Sequence, residues 1–281
     1  MKRYLVNILA ALGIVVGVNA QTMVRPAFEV ISVKPHNPND TSRGATFLPG
    51  GRFRSVGLPL RFVIGQALGV GFQSVRLTGG PDWISSLSSV YDIEAIAASA
   101  AIPAGLSDAA REQQMRLMLQ ALLEDRFKLK IRRETKELPI YAVIVAKGGS
   151  KLEKAKIEEK DCPGSEVMGI ACHTFNGGRG RGIHGAAVNM ADVMPFVENW
   201  ADRPMVDKTR LTGLFNIQTP GWAPFQPGPI PSPGAKAEDG SDLADVPTLA
   251  ELFDKLGLRM ESQKDKVEIY VIEHVEKPVE N

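Results

Sequence analysis

Apolar residues recur along this chain with two periods, and each period selects a different backbone. Leu60, Val63, Ile64, Ala67 and Leu68 follow Pro59 three and four positions apart, which predicts a helix with one buried stripe. Met190, Val193, Met194 and Val197 repeat that spacing behind Asn189, whose side chain suits an N-cap, although Pro195 weakens this second helix. Met115, Leu119, Leu122 and Leu123, and again Leu249, Leu252, Phe253 and Leu256, mark two more helical stripes. Elsewhere the alternation has period two. Phe28 to Val33, Val90 to Ile96 and, more briefly, Leu214 to Thr219 read as strands. Phe127, Leu129 and Ile131 alternate with basic residues, a polar run from Glu134 to Glu137 follows, and apolar positions resume over Leu138 to Ala146. That predicts a tight hairpin, and Leu256 to Met260, a turn near Asp265 and Val267 to Val275 predict its twin.

The two sets of elements also share residues. Gly50-Gly51-Arg52-Phe53-Arg54 returns as Gly177-Gly178-Arg179-Gly180-Arg181, and Tyr91-Asp92-Ile93 returns as Phe215-Asn216-Ile217. Phe127, Leu129, Ile131, Leu138, Ile140 and Tyr141 match Leu256, Leu258, Met260, Val267, Ile269 and Tyr270, all at a shift of 129. Three blocks in one order at nearly one shift predict an α+β fold of two homologous halves, each helix, strand, helix and β-hairpin, with helices packed on antiparallel sheet. The first half spans 21–148 and opens with the extra strand at Phe28. A cysteine-containing connection covers 149–176, and the second half, 177–281, holds a Pro-rich loop at 220–246 that should be extended.

Composition narrows the function classes. With 33 Lys+Arg against 32 Asp+Glu, 44% hydrophobic and 23% charged residues, the chain is of ordinary globular type and lacks the basic surplus of a nucleic-acid binder. Lys2 and Arg3 precede an apolar run from Tyr4 to Val18, and Val18-Asn19-Ala20 offers small residues at a cleavage site, so residues 1–20 read as a secretory signal. The run is shorter than the roughly 20 residues that span a bilayer, which argues against a retained anchor and for no stable membrane insertion after cleavage. In an oxidising compartment Cys162 and Cys172, ten positions apart, are expected to form a disulfide; a zinc reading would recruit His173 but has no Cys-x-x-Cys spacing behind it.

One further set of residues carries a resemblance. Phe28-Glu29-Val30 through Ser32-Val33-Lys34-Pro35, Gly79-Gly80-Pro81-Asp82-Trp83, Tyr91-Asp92-Ile93, and Leu122-Leu123-Glu124-Asp125-Arg126-Phe127-Lys128-Leu129 belong to it. So do Arg203-Pro204, Val206-Asp207-Lys208-Thr209, Leu211-Thr212-Gly213 and His274-Val275-Glu276-Lys277-Pro278. Together they resemble a soil-associated family of secreted bacterial proteins of unknown function, over nearly the whole mature chain. The chain departs from that pattern at Arg210, where a Gly is usual, and at Asn216, where an Asp is usual. The resemblance implies export and, because similar modules are appended to membrane metallopeptidases of the beta-lactam-sensor type, a sensing or binding role. It implies no catalytic residue and no cofactor. The layout is also similar to that of small periplasmic domains of secretins and TonB-dependent receptors, an analogy of architecture only.

The chemical motifs mostly have structural readings. Gly180-Arg181-Gly182-Ile183-His184-Gly185 fits the dinucleotide pattern but lacks a preceding buried strand in a parallel unit, so a turn is the better reading. Asp207-Lys208-Thr209 is similar to the start of a phosphorylated-aspartate motif, yet Arg210 replaces its Gly, and Asp207 more simply bends the backbone before the next strand. His36, His173, His184 and His274 are scattered, with no pair placed to share a metal. Glu124-Asp125-Arg126 and Arg132-Arg133-Glu134 are charge clusters suited to an anionic ligand, or else a solvated helix end and hairpin tip. Trp83 and Trp200 read as core, whereas Trp222 in the Pro-rich loop is a candidate partner contact. No position stands out as catalytic, metal-binding or cofactor-binding. The chain therefore reads as an exported, non-enzymatic module for a protein, peptide or glycan ligand, held in a groove between the halves or at an open sheet edge. A hydrolase acting on cell-wall or peptide material is the alternative.

Overall fold

The computed structural model describes residues 25–48, 50–98, 101–103, 105–106, 108–162, 172–178, 182–221 and 247–278. The fold is α+β, with three sheets and four α-helices among the described residues. The first sheet holds β1 (Phe28–Pro35), β2 (Gly44–Leu48), β3 (Arg52–Pro59) and β5 (Val90–Ala97) in the order β1-β5-β3-β2, all antiparallel. A second outer sheet holds β7 (Glu153–Lys154), β8 (Thr174–Gly178), β9 (Gly182–Val188) and β11 (Phe215–Gln218) in the order β7-β11-β9-β8. Between them lies a sheet of order β10-β6-β12-β4, made of β4 (Leu77–Gly79), β6 (Lys130–Val145), β10 (Met205–Asp207) and β12 (Leu258–His274).

The expected hairpins at 127–146 and 256–275 are not formed. Each stretch is one long strand, β6 or β12, and the two pair with each other antiparallel from Leu258↔Val145 to His274↔Lys130. The reason lies in the run from Glu134 to Glu137. A tight turn needs backbone with positive φ, and these four residues stay extended. Their polarity reflects a ribbon exposed at its middle, where Lys136 pairs with Glu134 at 2.6 Å and Arg132 with Glu273 at 2.5 Å. Conversely, the β2–β3 hairpin falls where glycine patterning was read only as a repeat. Gly50 and Gly51 take φ of 68° and 70° there, and the rings of Phe47 and Phe53 pair across the strands 5.2 Å apart.

Four helices pack on this frame: α1 (Leu60–Leu68), α2 (Asp108–Arg126), α3 (Met190–Glu198) and α4 (Leu249–Lys255). Asn189 and Thr248 each close a capping box, accepting from Asp192 and Glu251 N–H, so α3 starts cleanly and keeps Pro195 inside it. One core joins α1, α2, the first sheet and Leu129, Tyr270 and Ile272 of the central sheet. Another joins α3, α4, the second outer sheet and Val143 and Leu258. By strand alternation both cores lie on one face of the β6–β12 ribbon, one at each end. Ile140, Ala142, Val267 and Ile269 form a smaller cluster on its other face.

Both outer sheets are bent by a bulge at the same place. Register slips between Ser55 and Leu58 opposite Ile93 and Tyr91, and between Gly185 and Val188 opposite Ile217 and Phe215. The bulged residues, Gly57 and Ala187, both have positive φ, and their N–H groups donate to Asp92 Oδ1 at 2.9 Å and Asn216 Oδ1 at 3.1 Å. The central sheet follows the same pattern. Its short parallel strands cross over, with β4 on β12 through Leu77↔Tyr270 and β10 on β6 through Met205↔Tyr141.

Candidate ligand cleft and the polar clusters around it

The last turn of α1, the exposed side of α2 and the first residues of β6 do not close on one another. They leave an open cleft of about 380 Å³, near the lower end of ligand sites. Leu68, Leu117, Ala121, Leu129 and Ile131 supply its apolar wall, and Leu117 is 39% exposed there. Arg25, which meets Glu124 at 3.0 Å, also lines the cleft. So does Arg133, which the β6–β12 register sets directly opposite Tyr270.

The arginine is oriented by neighbours on α2 and β12. Its guanidinium lies over the Tyr270 ring, 5.5 Å from the centroid, and Nη2 donates to Gln120 Oε1 at 3.3 Å. Gln120 is fixed in turn, because its amide donates to the Ala67 carbonyl at 2.8 Å. Glu268 forms a long ion pair with Arg133 through Oε1 at 3.9 Å, beyond hydrogen-bond reach, and accepts from the Tyr270 hydroxyl through Oε2. Burial, and then that hydrogen bond, push the Tyr270 phenol up to about 12, so it stays a neutral donor. Of the two charge clusters marked in the sequence, Glu124 and Arg133 are thus brought to one cleft. The apolar wall between them comes from three separate elements and has no signal in local sequence.

Two histidines sit in polar clusters near the bulges. His36, 1% exposed at its side chain, holds Asp92 Oδ1 at 2.7 Å through Nδ1 and the Asp40 carbonyl at 2.8 Å through Nε2. That carbonyl, and then Asp92, raise its pKa. Arg43, whose Nη1 is 2.6 Å from Nε2, donates from that nitrogen to the Asp40 and Ser42 carbonyls at 3.0 and 2.7 Å. His173 holds Asp192 at 2.7 Å and Glu159 at 3.0 Å; Asp192, opposed by partial burial, raises it to about 9. Asp192 is also the capping-box carboxylate of α3, accepting from Asn189 N–H at 2.8 Å. In both clusters Nε2, the atom a nucleophile would need, is already hydrogen-bonded.

A third cluster joins the end of α3 to the segment before β4 and to the start of β10. Glu198, fully buried at the end of α3, accepts from Ser74 Oγ, from Arg76 Nε at 2.8 Å and from the Met205 N–H at 2.9 Å. The charge is therefore paired and its oxygens satisfied.

The remaining sequence-marked residues are placed as follows. Cys162 and Cys172 form a disulfide with Cα atoms 5.9 Å apart. Trp222 lies outside the described residues. Trp83 packs on the first core with Lys277 5.9 Å over its ring, and Trp200 packs on the second beside Phe196, 4.9 Å away. Gly182 opens strand β9 rather than a helix, which removes the context a pyrophosphate site needs. Asp207 makes a local turn, accepting from Thr209 N–H and Oγ1 at 2.8 and 2.7 Å, and Arg210 then takes φ +58°, the conformation for which Gly is suited. His274 is exposed beside Glu276. Among the described residues no group of His, Cys, Asp and Glu is placed to hold a metal, and no helix is long and apolar enough to cross a membrane.

Comparison with known proteins gives one family. A family model described as "Protein of unknown function (DUF3738)" matches residues 63–275. Neither the curated proteins nor the solved structures contain a match.

Proposed function

We propose that this chain, which belongs to the DUF3738 family of proteins of unknown function, is an exported binding module whose ligand or partner docks in the α1–α2–β6 cleft. The observation that carries the reading is Arg133, aligned by Tyr270 and Gln120 beside an apolar wall that leaves Leu117 in solvent. An exposed leucine in a concavity next to an oriented charge is the combination by which a site fixes one end of a ligand and buries the other. The cleft lies within the first lobe rather than in a groove between lobes. Export is supported by the Cys162–Cys172 disulfide and by the apolar leader over residues 1–20, which lies outside the described residues.

The scaffold is two related α+β halves in this reading. Matching sheet orders, matching bulges and the crossed β4 and β10 strands support it. The central register adds a further argument: Glu137 pairs with Lys266, 129 positions on, the shift found between the matched residues in the sequence. A local two-fold axis through that pair would relate the halves as an intramolecular dimer.

The test is a thermal-shift screen of peptides, glycans and amphiphiles on the oxidised mature chain, with Leu117→Asp in parallel. A ligand at 100 times its Kd stabilises by about 2.7 kcal/mol, a shift of several degrees. Hits that disappear in Leu117→Asp support the reading; hits that persist there unchanged refute the cleft as the site.

A further inference from the structure

Resting on the cleft as the binding site, we infer that its ligand is a medium-chain aliphatic carboxylate, with the carboxylate on Arg133 and the chain along Leu117. The head-group end is identified by charge. Arg133 has planar N–H donors; among the described residues it donates to Gln120 at 3.3 Å, while Glu268, its ion-pair partner, stands 3.9 Å away and leaves donors for a closer carboxylate. The Tyr270 ring lies under this guanidinium, 5.5 Å from its carbon to the centroid, and a planar guanidinium can take a carboxylate bidentately.

Arg25 and Glu124, paired at 3.0 Å, bring no net charge to the lining. The rest of the wall includes Leu68, Leu117, Ala121, Leu129 and Ile131, all aliphatic. Among the described residues no aromatic ring lines it, so the wall suits flexible methylene chains better than a stacked sugar or ring. Burying the exposed Leu117 under such a chain supplies hydrophobic affinity, and Arg133 supplies selectivity for the anion.

The experiment is a heteronuclear NMR titration of the oxidised mature chain with octanoate, with octyltrimethylammonium and acetate as controls. Saturable octanoate binding is expected, with shifts confined to residues around 117–133, at least tenfold weaker in Arg133→Gln and abolished in Leu117→Asp. Acetate and the ammonium should not saturate. Equal binding of the octyl cation, or octanoate affinity unchanged in Arg133→Gln, overturns the ligand class. Tighter binding of N-acetyl-leucyl-leucine than of octanoate also overturns it, by assigning the carboxylate to a peptide end. If octanoate fails while the thermal screen still yields hits that Leu117→Asp removes, the carboxylate inference falls and the binding-module reading stands.

Discussion

The ion cluster at His173 makes stability depend on pH in a calculable way. Its imidazole moves from 6.5 in the unfolded chain to about 9 in the fold, chiefly through Asp192. At about 1.4 kcal/mol per unit the full difference would be about 3 kcal/mol. The side chain is only 10% exposed, but Glu159 is 38% exposed and screened by water, so about 2 kcal/mol is the working figure. Because the folded value is the higher one, the fold binds the proton more tightly. The contribution is complete below pH 6.5 and disappears as pH rises through about 9. His173→Asn is the suitable perturbation, since Asn tolerates the φ of +54° found there. Urea unfolding of both proteins at about pH 6 and pH 10 should show the gap between them narrowing by about 2 kcal/mol. Taking the difference cancels other titrations, including that of His36. A gap that is constant across this range refutes the cluster as drawn.

Three other substitutions test the frame. Arg210→Gly should be neutral or stabilise by up to about 1 kcal/mol in thermal unfolding, because glycine occupies positive φ without strain; a clear loss would show that the Arg210 side chain holds something. Asn216→Ala should cost about 1 kcal/mol by orphaning the Ala187 N–H, while Asn216→Asp, which keeps the accepting Oδ1, should cost little in the same denaturation assay. Glu137→Lys sets two lysines opposite each other at the central register and should cost a few tenths of a kcal/mol to about 1, recovered when Lys266→Glu is added; absence of recovery in the double-mutant cycle argues against that register.

Much of the fold was legible because it depends on periodicity. The four apolar helical stripes fall on α1 to α4, and the strands at Phe28, Val90 and Phe215 are where alternation put them. The pairing of β6 with β12 was not legible. Alternating residues specify which face of a strand is buried but not its partner, and a charged midsection of an exposed ribbon looks like a turn when partner residues lie some 130 positions away. The Asn at 216 also becomes intelligible only in the structure. An Asx oxygen is all that the bulge at Ala187 requires, whereas Asp92, at the matching bulge, also faces His36. The candidate site was half-visible for a similar reason: its charges cluster in sequence, and its apolar wall is assembled from α1, α2 and β6.

The cleft therefore depends on the long-range pairing more than its location suggests. Its lining comes from α1, α2, β6 and the residues beside them, yet Tyr270 of β12 lies against Arg133, and Glu268, which pairs with Arg133 at 3.9 Å, lies two residues away on the same strand. Slipping β12 by one residue would turn Tyr270 to the other face and leave Arg133 unsupported. The Tyr270 ring is thus a link through which β12 acts on a site built from α1, α2 and β6. Tyr270→Leu, which keeps an apolar group in the core but removes both the ring and its hydroxyl, should weaken octanoate binding severalfold while leaving the Leu117 contact intact. The same variant frees Glu268 from its hydroxyl donor, so part of any loss would come from that carboxylate turning toward Arg133. Adding Glu268→Gln separates the two: affinity that returns in the double variant assigns the effect to charge, and affinity that stays low assigns it to the lost ring.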